Sequence, residues 1–224
     1  MRTTRVSAYG LLLAAPVFLA ANVIVGLAWS EPSYSWAVHN ISDLGNVTCG
    51  VWDTSRPRQV CSPWHTAMNV GMVATGSLVA LGVLLGWRVF GRGAAARAAQ
   101  VLVTAGAAGY VLAGLYPADV DENNHLLAAL LIFVLGNAGV VTAALARRSP
   151  LLASLRTVSA VLGLTGVTGT VLFLAQVDLG FGVGGMERVA VFPMLVWTFA
   201  VGLRSLRNQP TQGGAPAPSR VGSR

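Results

Sequence analysis

Six stretches of this chain are each apolar over roughly the 20 residues that an α-helix needs to cross ~30 Å of hydrocarbon, and this decides the class of fold before any motif is considered. They run from Ala8 to Ala28, Trp64 to Trp87, Ala98 to Tyr116, His125 to Leu145, Thr157 to Val177 and Val189 to Leu203. A segment in lipid has no water to bond its N–H and C=O groups, so it must satisfy them within itself, as a helix does. Strands of a membrane barrel would alternate apolar and polar residues, and these runs do not. The expected fold is all-α: an integral membrane bundle of six transmembrane helices over residues 1–207, followed by a polar tail rich in Pro and Gly at 208–224 that is expected to be disordered. Only 10% of the residues are charged, against about 25% in a soluble domain, which agrees. Arg2 and Arg5 give the first run the look of a secretory signal, but it continues for about twenty residues without a small-x-small cleavage site. It is read as a retained helix, with Pro16 as a kink and Asn22 as a side chain that needs a partner inside the bundle.

All fifteen basic residues are arginines, and they are unevenly placed. Twelve lie before the first run, between the second and third, between the fourth and fifth, and after the sixth; Arg56, Arg58 and Arg188 lie on the other side with all eight acids. Arginine-rich loops stay in the cytoplasm, so both termini are expected there, in a multi-pass protein of the plasma (cytoplasmic) membrane. The net charge of +7 then reflects topology, and without a recognised nucleic-acid module no nucleic-acid partner is expected. The expected partners are the bilayer and, through the arginines, anionic lipids of its inner leaflet. Small-xxx-small pairs at Gly82/Gly86, Ala105/Gly109 and Gly166/Thr170 allow close helix packing within the chain, in a homo-oligomer or against a membrane partner.

The longest polar interruption, His39 to Cys61, joins the first two runs on the outer side and holds the only two cysteines, Cys49 and Cys61. On an oxidising face such a pair reads as a disulfide closing a short loop, worth on the order of 3 kcal/mol; the spacing is not the CxxC of a zinc site. All three histidines fall on this side. His65 follows Ser62 and Pro63, a cap residue and a first-turn proline, and is expected in the first turn of the second helix. His125 opens the fourth helix just after Asp121 and Glu122, and Glu187 opens the sixth after Gly184 and Gly185, where helix dipoles stabilise carboxylates.

Two readings of these residues stand side by side. In the first, the polar cluster is structural or binds a ligand or partner, and the chain is a membrane protein without catalysis. In the second, His39, Asp43, His65, Asp119, His125 and Glu187 converge in a vestibule beneath the loop. Within that set His39, Asp43, His65, Asp119 and His125 are the candidate metal ligands; zinc is the metal such donors would take, although nothing in the pattern requires a cofactor. Ser42, Asp43, His65, His125 and Glu187 are the candidate catalytic residues of a membrane-embedded metal-assisted or acid-base hydrolase or transferase acting on a lipid or exported substrate. A helical start to the loop would put His39 and Asp43 on one face at i and i+4. No HExxH or GxSxG motif is present, so the enzyme reading rests on clustering alone. Asn69, Asn137, Thr165, Thr168 and Gln176, inside the runs, are read as interhelical hydrogen-bonders. No acid or base falls at the centre of a run, which argues against a transport pathway.

Four short motifs carry a resemblance: Ile41-Ser42-Asp43-Leu44-Gly45, Cys61-Ser62-Pro63-Trp64-His65, Tyr116-Pro117-Ala118-Asp119 followed by His125, and Gly185-Met186-Glu187-Arg188. Together they resemble domain-of-unknown-function family 998, a group of prokaryotic multi-pass membrane proteins, over about Ala8 to Leu206. The departure is Tyr116-Pro117, where a Phe-Pro pair is expected. The resemblance implies a membrane bundle and no established activity, substrate or cofactor. The positions that match its pattern are Ser42, Asp43, His65, Asp119, His125, Glu187 and Arg188.

Overall fold

The computed structural model describes residues 2–208, so the tail expected at 208–224 lies, from residue 209 on, outside the described residues. Six helices are long and apolar enough to cross a membrane: Thr3–Ala28, His65–Leu85, Ala94–Leu115, Glu122–Ala144, Arg156–Leu174 and Val183–Arg207. The third starts at Ala94 rather than Ala98, and the sixth at Val183 rather than Val189. Hydropathy marks where a helix must be apolar; its hydrogen bonding continues beyond the hydrocarbon. The first four spans and the sixth surround a common interior, and the fifth packs outside against the fourth and sixth.

Small residues bring the helix backbones together within the chain. A Cβ on Gly82 would lie 2.7 Å from Leu11 Cγ, and one on Gly109 would lie 2.7 Å from the Ala128 carbonyl oxygen. Gly166 faces the Asn137 side chain. The small-xxx-small glycines therefore seat neighbours of the same chain, which maximises dispersion contact where lipid supplies no hydrophobic drive between helices. Ser7 of the first span donates to the Gly82 carbonyl at 2.7 Å, and Asn22 finds its partner in its own helix, the Phe18 carbonyl at 3.1 Å.

In the fourth span, residues Leu131–Gly136 are wound as a π-helix. Wider winding of this kind disturbs the i to i−4 pattern. Here the Phe133 carbonyl accepts from Asn137 Nδ2 at 2.9 Å and from Thr170 Oγ1 at 3.2 Å, while Asn137 also donates to the Ala190 carbonyl at 2.9 Å. One amide thus fastens the fourth, fifth and sixth spans. Of the other polar residues expected to bridge spans, Asn69 reaches the Gly45 carbonyl in the loop instead, Gln176 bonds the Phe173 carbonyl nearby in sequence, and Thr165 and Thr168 make no side-chain hydrogen bond among the described residues.

The segment between the first two spans is a folded cap. It contains a 3-10 turn, Ser42–Gly45, and an antiparallel hairpin of β1 (Gly50–Trp52) and β2 (Arg58–Val60) in the register Gly50↔Val60, Val51↔Gln59, Trp52↔Arg58. The register continued by one step sets Cys49 opposite Cys61, and these form the disulfide, with Cα atoms 4.2 Å apart. The helical start that would align His39 with Asp43 is absent: the turn begins only at Ser42, so the two side chains part. Nor does Ser62 cap the second span; its hydroxyl donates to the Leu44 carbonyl at 2.7 Å and ties the two halves of the cap together.

Candidate functional site

Asp43 lies at the centre of the cap and is completely buried. Such a carboxylate is tolerable only if paired and hydrogen-bonded. Arg58, from β2, supplies a two-pronged pairing: Nε to Oδ2 and Nη2 to Oδ1, both 2.7 Å, and the Asn40 amide adds a third bond at 2.8 Å. Burial alone would lower the Arg58 pKa, but its bonds to Asp43 outweigh that and leave it raised. Arg56 extends the same clamp to the Val38 carbonyl and the Asn40 side chain, at 2.6 and 2.7 Å.

Adjacent residues at the start of the sixth span fasten the cap to the bundle. Glu187, 5% exposed, accepts from the Ile41 amide at 2.5 Å. Arg188 donates to the carbonyls of Trp36, His39 and Gly184 at 3.0, 3.1 and 2.7 Å, and to the Tyr34 hydroxyl. Its guanidinium also lies over the Trp36 ring, 5.1 Å from the centroid. Burial pushes the Tyr34 phenol up, so it stays a neutral hydroxyl that passes a hydrogen bond on to the Asn40 carbonyl at 2.9 Å. Across the bundle, Asp119 Oδ2 takes the Val47 amide, the Thr48 amide and the Thr48 hydroxyl at 2.9, 2.7 and 2.7 Å. Burial raises the Asp119 pKa; the Thr48 hydroxyl and the two amides more than reverse this and hold it below the ordinary value.

The histidines go three ways. His39 stacks on Tyr34, centroids 5.2 Å apart, and meets the tilted Trp29 ring at 5.0 Å, the three rings forming a cluster. Its Nδ1 receives the Ser35 amide proton at 2.9 Å, so Nε2 carries the ring hydrogen and donates it to the Gln59 carbonyl at 2.9 Å. His65 donates from Nδ1 to the Ser62 carbonyl at 3.2 Å and lines a separate outer groove with Val47 and Asn69. His125 donates from Nδ1 to the Tyr116 carbonyl at 2.8 Å. The single vestibule of six polar residues is therefore not formed, because Asp43, Asp119 and His39 are each occupied by a different part of the cap. Among the described residues no three His, Cys, Asp or Glu side chains gather as a metal site requires.

A smaller constellation does form. Beneath the cap lies a cavity of about 30 Å³, lined by Ser42, Tyr110, His125 and Glu187 on its polar side and by Phe18, Met72, Phe133 and Val191 among its apolar walls. Such a volume holds one or two waters. Among the described residues the Ser42 hydroxyl and Glu187 Oε1 make no hydrogen bond, so the cavity joins two vacant polar groups to the His125 ring.

The family described as "Protein of unknown function (DUF998)" matches residues 12–204, a span that holds every residue of the cap and of the cavity. The chain belongs to this family. No curated protein and no solved structure matches it. The DUF998 assignment and the six apolar helices make it an integral, multi-pass membrane protein in a lipid bilayer. In this DUF998 chain the cap arginines are what reading the residues alone misses. The available signal was their placement: Arg56, Arg58 and Arg188 are the three arginines on the acid-rich side, and all three bind the cap.

Proposed function

We propose that this chain is a membrane-integral binding protein whose cap is a fixed lid and whose ligand-accepting part is the cavity of Ser42, His125 and Glu187. The observation that supports this is the division among polar groups. His39, Asp43, Asp119 and three arginines are committed to holding the cap, whereas Ser42 Oγ, the His125 ring and Glu187 Oε1 remain at one cavity. The small polar wall and apolar surroundings suit an amphiphile whose head is a hydroxyl or primary ammonium. Small molecules co-purifying with the full chain, identified by mass spectrometry, are the test. Such an amphiphile should be lost in His125→Ala and Glu187→Gln and retained in Arg156→Gln; an identical set in all three would sink the reading.

A second reading, an acid-base hydrolase acting on a lipid or exported substrate, draws on the unbonded Ser42 hydroxyl, which lines the same cavity as the His125 ring. A lipid-soluble fluorophosphonate should then attach to Ser42, and not after His125→Ala. Absence of an adduct on Ser42 removes this reading.

The arginine-bearing end is taken to face the cytoplasm, with both termini, in a plasma membrane whose anionic inner-leaflet lipids it meets. A reporter fused to the C-terminus tests this: an external signal would reverse the orientation and leave the cavity reading untouched.

A further inference from the structure

At the end of the bundle away from the cap, a groove of about 280 Å³ runs between the start of the third span and the exit of the fourth, lined by Arg92, Arg147 and Arg148 with Gly93, Ala94 to Ala96, Leu145 and Ala146. Two glycines shape it. Gly91 and Gly93 have φ of +87° and +108°, a backbone that side chains disfavour, and they hold Arg92 between them at the apex of the turn. Gly91 abuts Ser149, where a Cβ would lie 3.0 Å from the Ser149 Cα. Gly93 leaves room for the Arg148 stem, whose Cβ would lie 3.5 Å from an added methyl. The turn after the second span and the turn after the fourth are thus packed together with three guanidiniums on one groove.

These guanidiniums are vacant. Arg97, close by, is occupied by the Trp87 carbonyl and Gln100 at 2.7 and 2.8 Å and lies over the Trp87 ring. The side chains of Arg92, Arg147 and Arg148 make no hydrogen bond or ion pair among the described residues, and all eight acids of the chain belong to the capped end. An arginine fork matches phosphate oxygens in pairs, and only an outside anion can supply them here. Ala94 and Leu145, at the ends of two membrane spans, put the groove at headgroup level.

We infer that this groove binds the headgroup of an anionic phospholipid carrying two phosphodiesters. The inference rests on the reading that this end meets a lipid leaflet, and it names the place and the lipid class. One phosphodiester would leave two of three charges uncompensated; two bring the groove close to neutrality. The leaflet is the source because both flanking helices end there.

Native mass spectrometry of the detergent-purified full chain is the test, since it does not depend on which way the protein faces. A bis-phosphodiester lipid should bind roughly a hundredfold tighter than phosphatidylcholine, at about 1 kcal/mol per arginine. The variant R92Q/R147Q/R148Q should erase that preference, R147Q alone should lose part of it, and R156Q should keep it. Retention of the preference in the triple variant would overturn the site, as would equal binding of a lipid with one phosphodiester. Displacement by inorganic pyrophosphate at equal concentration would overturn the lipid as the source. If the triple variant does not fold, R92Q and R147Q singly decide, each expected to weaken binding by roughly fivefold; no weakening in either overturns the inference. Failure here alongside a cytoplasmic reporter signal would fault the groove and spare the orientation.

Discussion

Arg58 and Arg147 are chemically identical and sit at opposite ends of one bundle. Arg58 is 7% exposed and grips a fully buried carboxylate with two 2.7 Å bonds. Arg147 is exposed and touches no acid among the described residues. The contrast extends to their surroundings: at the capped end Asp43, Asp119, Glu187, Arg56 and Arg188 all point into hydrogen bonds that hold one loop, while at the other end the groove arginines point out. Charge therefore acts at one end as an internal fastener and at the other stands exposed and unpaired among the described residues. Position in the sequence foreshadows this only through which residues share a side.

The largest expected effect that tests this contrast is Arg58→Ala. It strands Asp43 in the cap without a counter-charge, and losing one partner of a buried pair costs about 3–5 kcal/mol. Arg147→Ala, at an exposed site, should stay within about 0.5 kcal/mol. Unfolding of both variants in detergent measures the gap; equal effects would break the comparison. Removing the disulfide with Cys49→Ala and Cys61→Ala should cost about 3 kcal/mol, because the unfolded chain regains the freedom that the closed loop denied it. Without reductant, thiol reagents should modify neither cysteine in the native chain, and ready labelling would contradict the bridge.

Asp119→Asn is smaller, about 1 kcal/mol for the weakened bonds to Val47 and Thr48. It also sets a pH signature. A carboxyl whose pKa is depressed in the folded state contributes stability that is present above its unfolded value, near 4, and is lost as pH falls through the folded value. Docking of the cap should weaken below about pH 4, and Asp119→Asn should flatten that part of the profile. An unchanged pH profile would mean that Asp119 does not hold the cap.

The six spans and the cysteine pair were legible because both are dictated locally: a helix in lipid has to be apolar along its length, and two cysteines on one face have only each other. The hairpin was not, since β1 and β2 have three residues each and the alternating burial of β2 starts with an arginine, which does not read as an inward-facing residue. The meeting of His125 and Glu187 at one cavity was expected as part of a larger cluster, with Ser42 only a candidate catalytic residue beside it, and the cluster was too large for a specific reason. Counting outer-side histidines and acids cannot reveal that Arg58 takes Asp43, or that Ser35 and Gln59 take His39. Those pairings are made by a turn and a hairpin whose register is tertiary. The π-helical segment at Leu131–Gly136, which shapes a wall of the cavity, likewise depends on Asn137 and Thr170 meeting across spans.

Amide hydrogen exchange on the full chain in lipid nanodiscs tests the fixed lid most directly. The amides of Asn40, Ile41, Val47 and Thr48 each donate to a carboxylate of the cap network, whereas those of Arg92 and Gly93 at the opposite end have no partner among the described residues. The first four are expected to exchange far more slowly than the last two. Equal, fast exchange in both would show a cap that is a loose loop, and the division of charge between the two ends would fall with it.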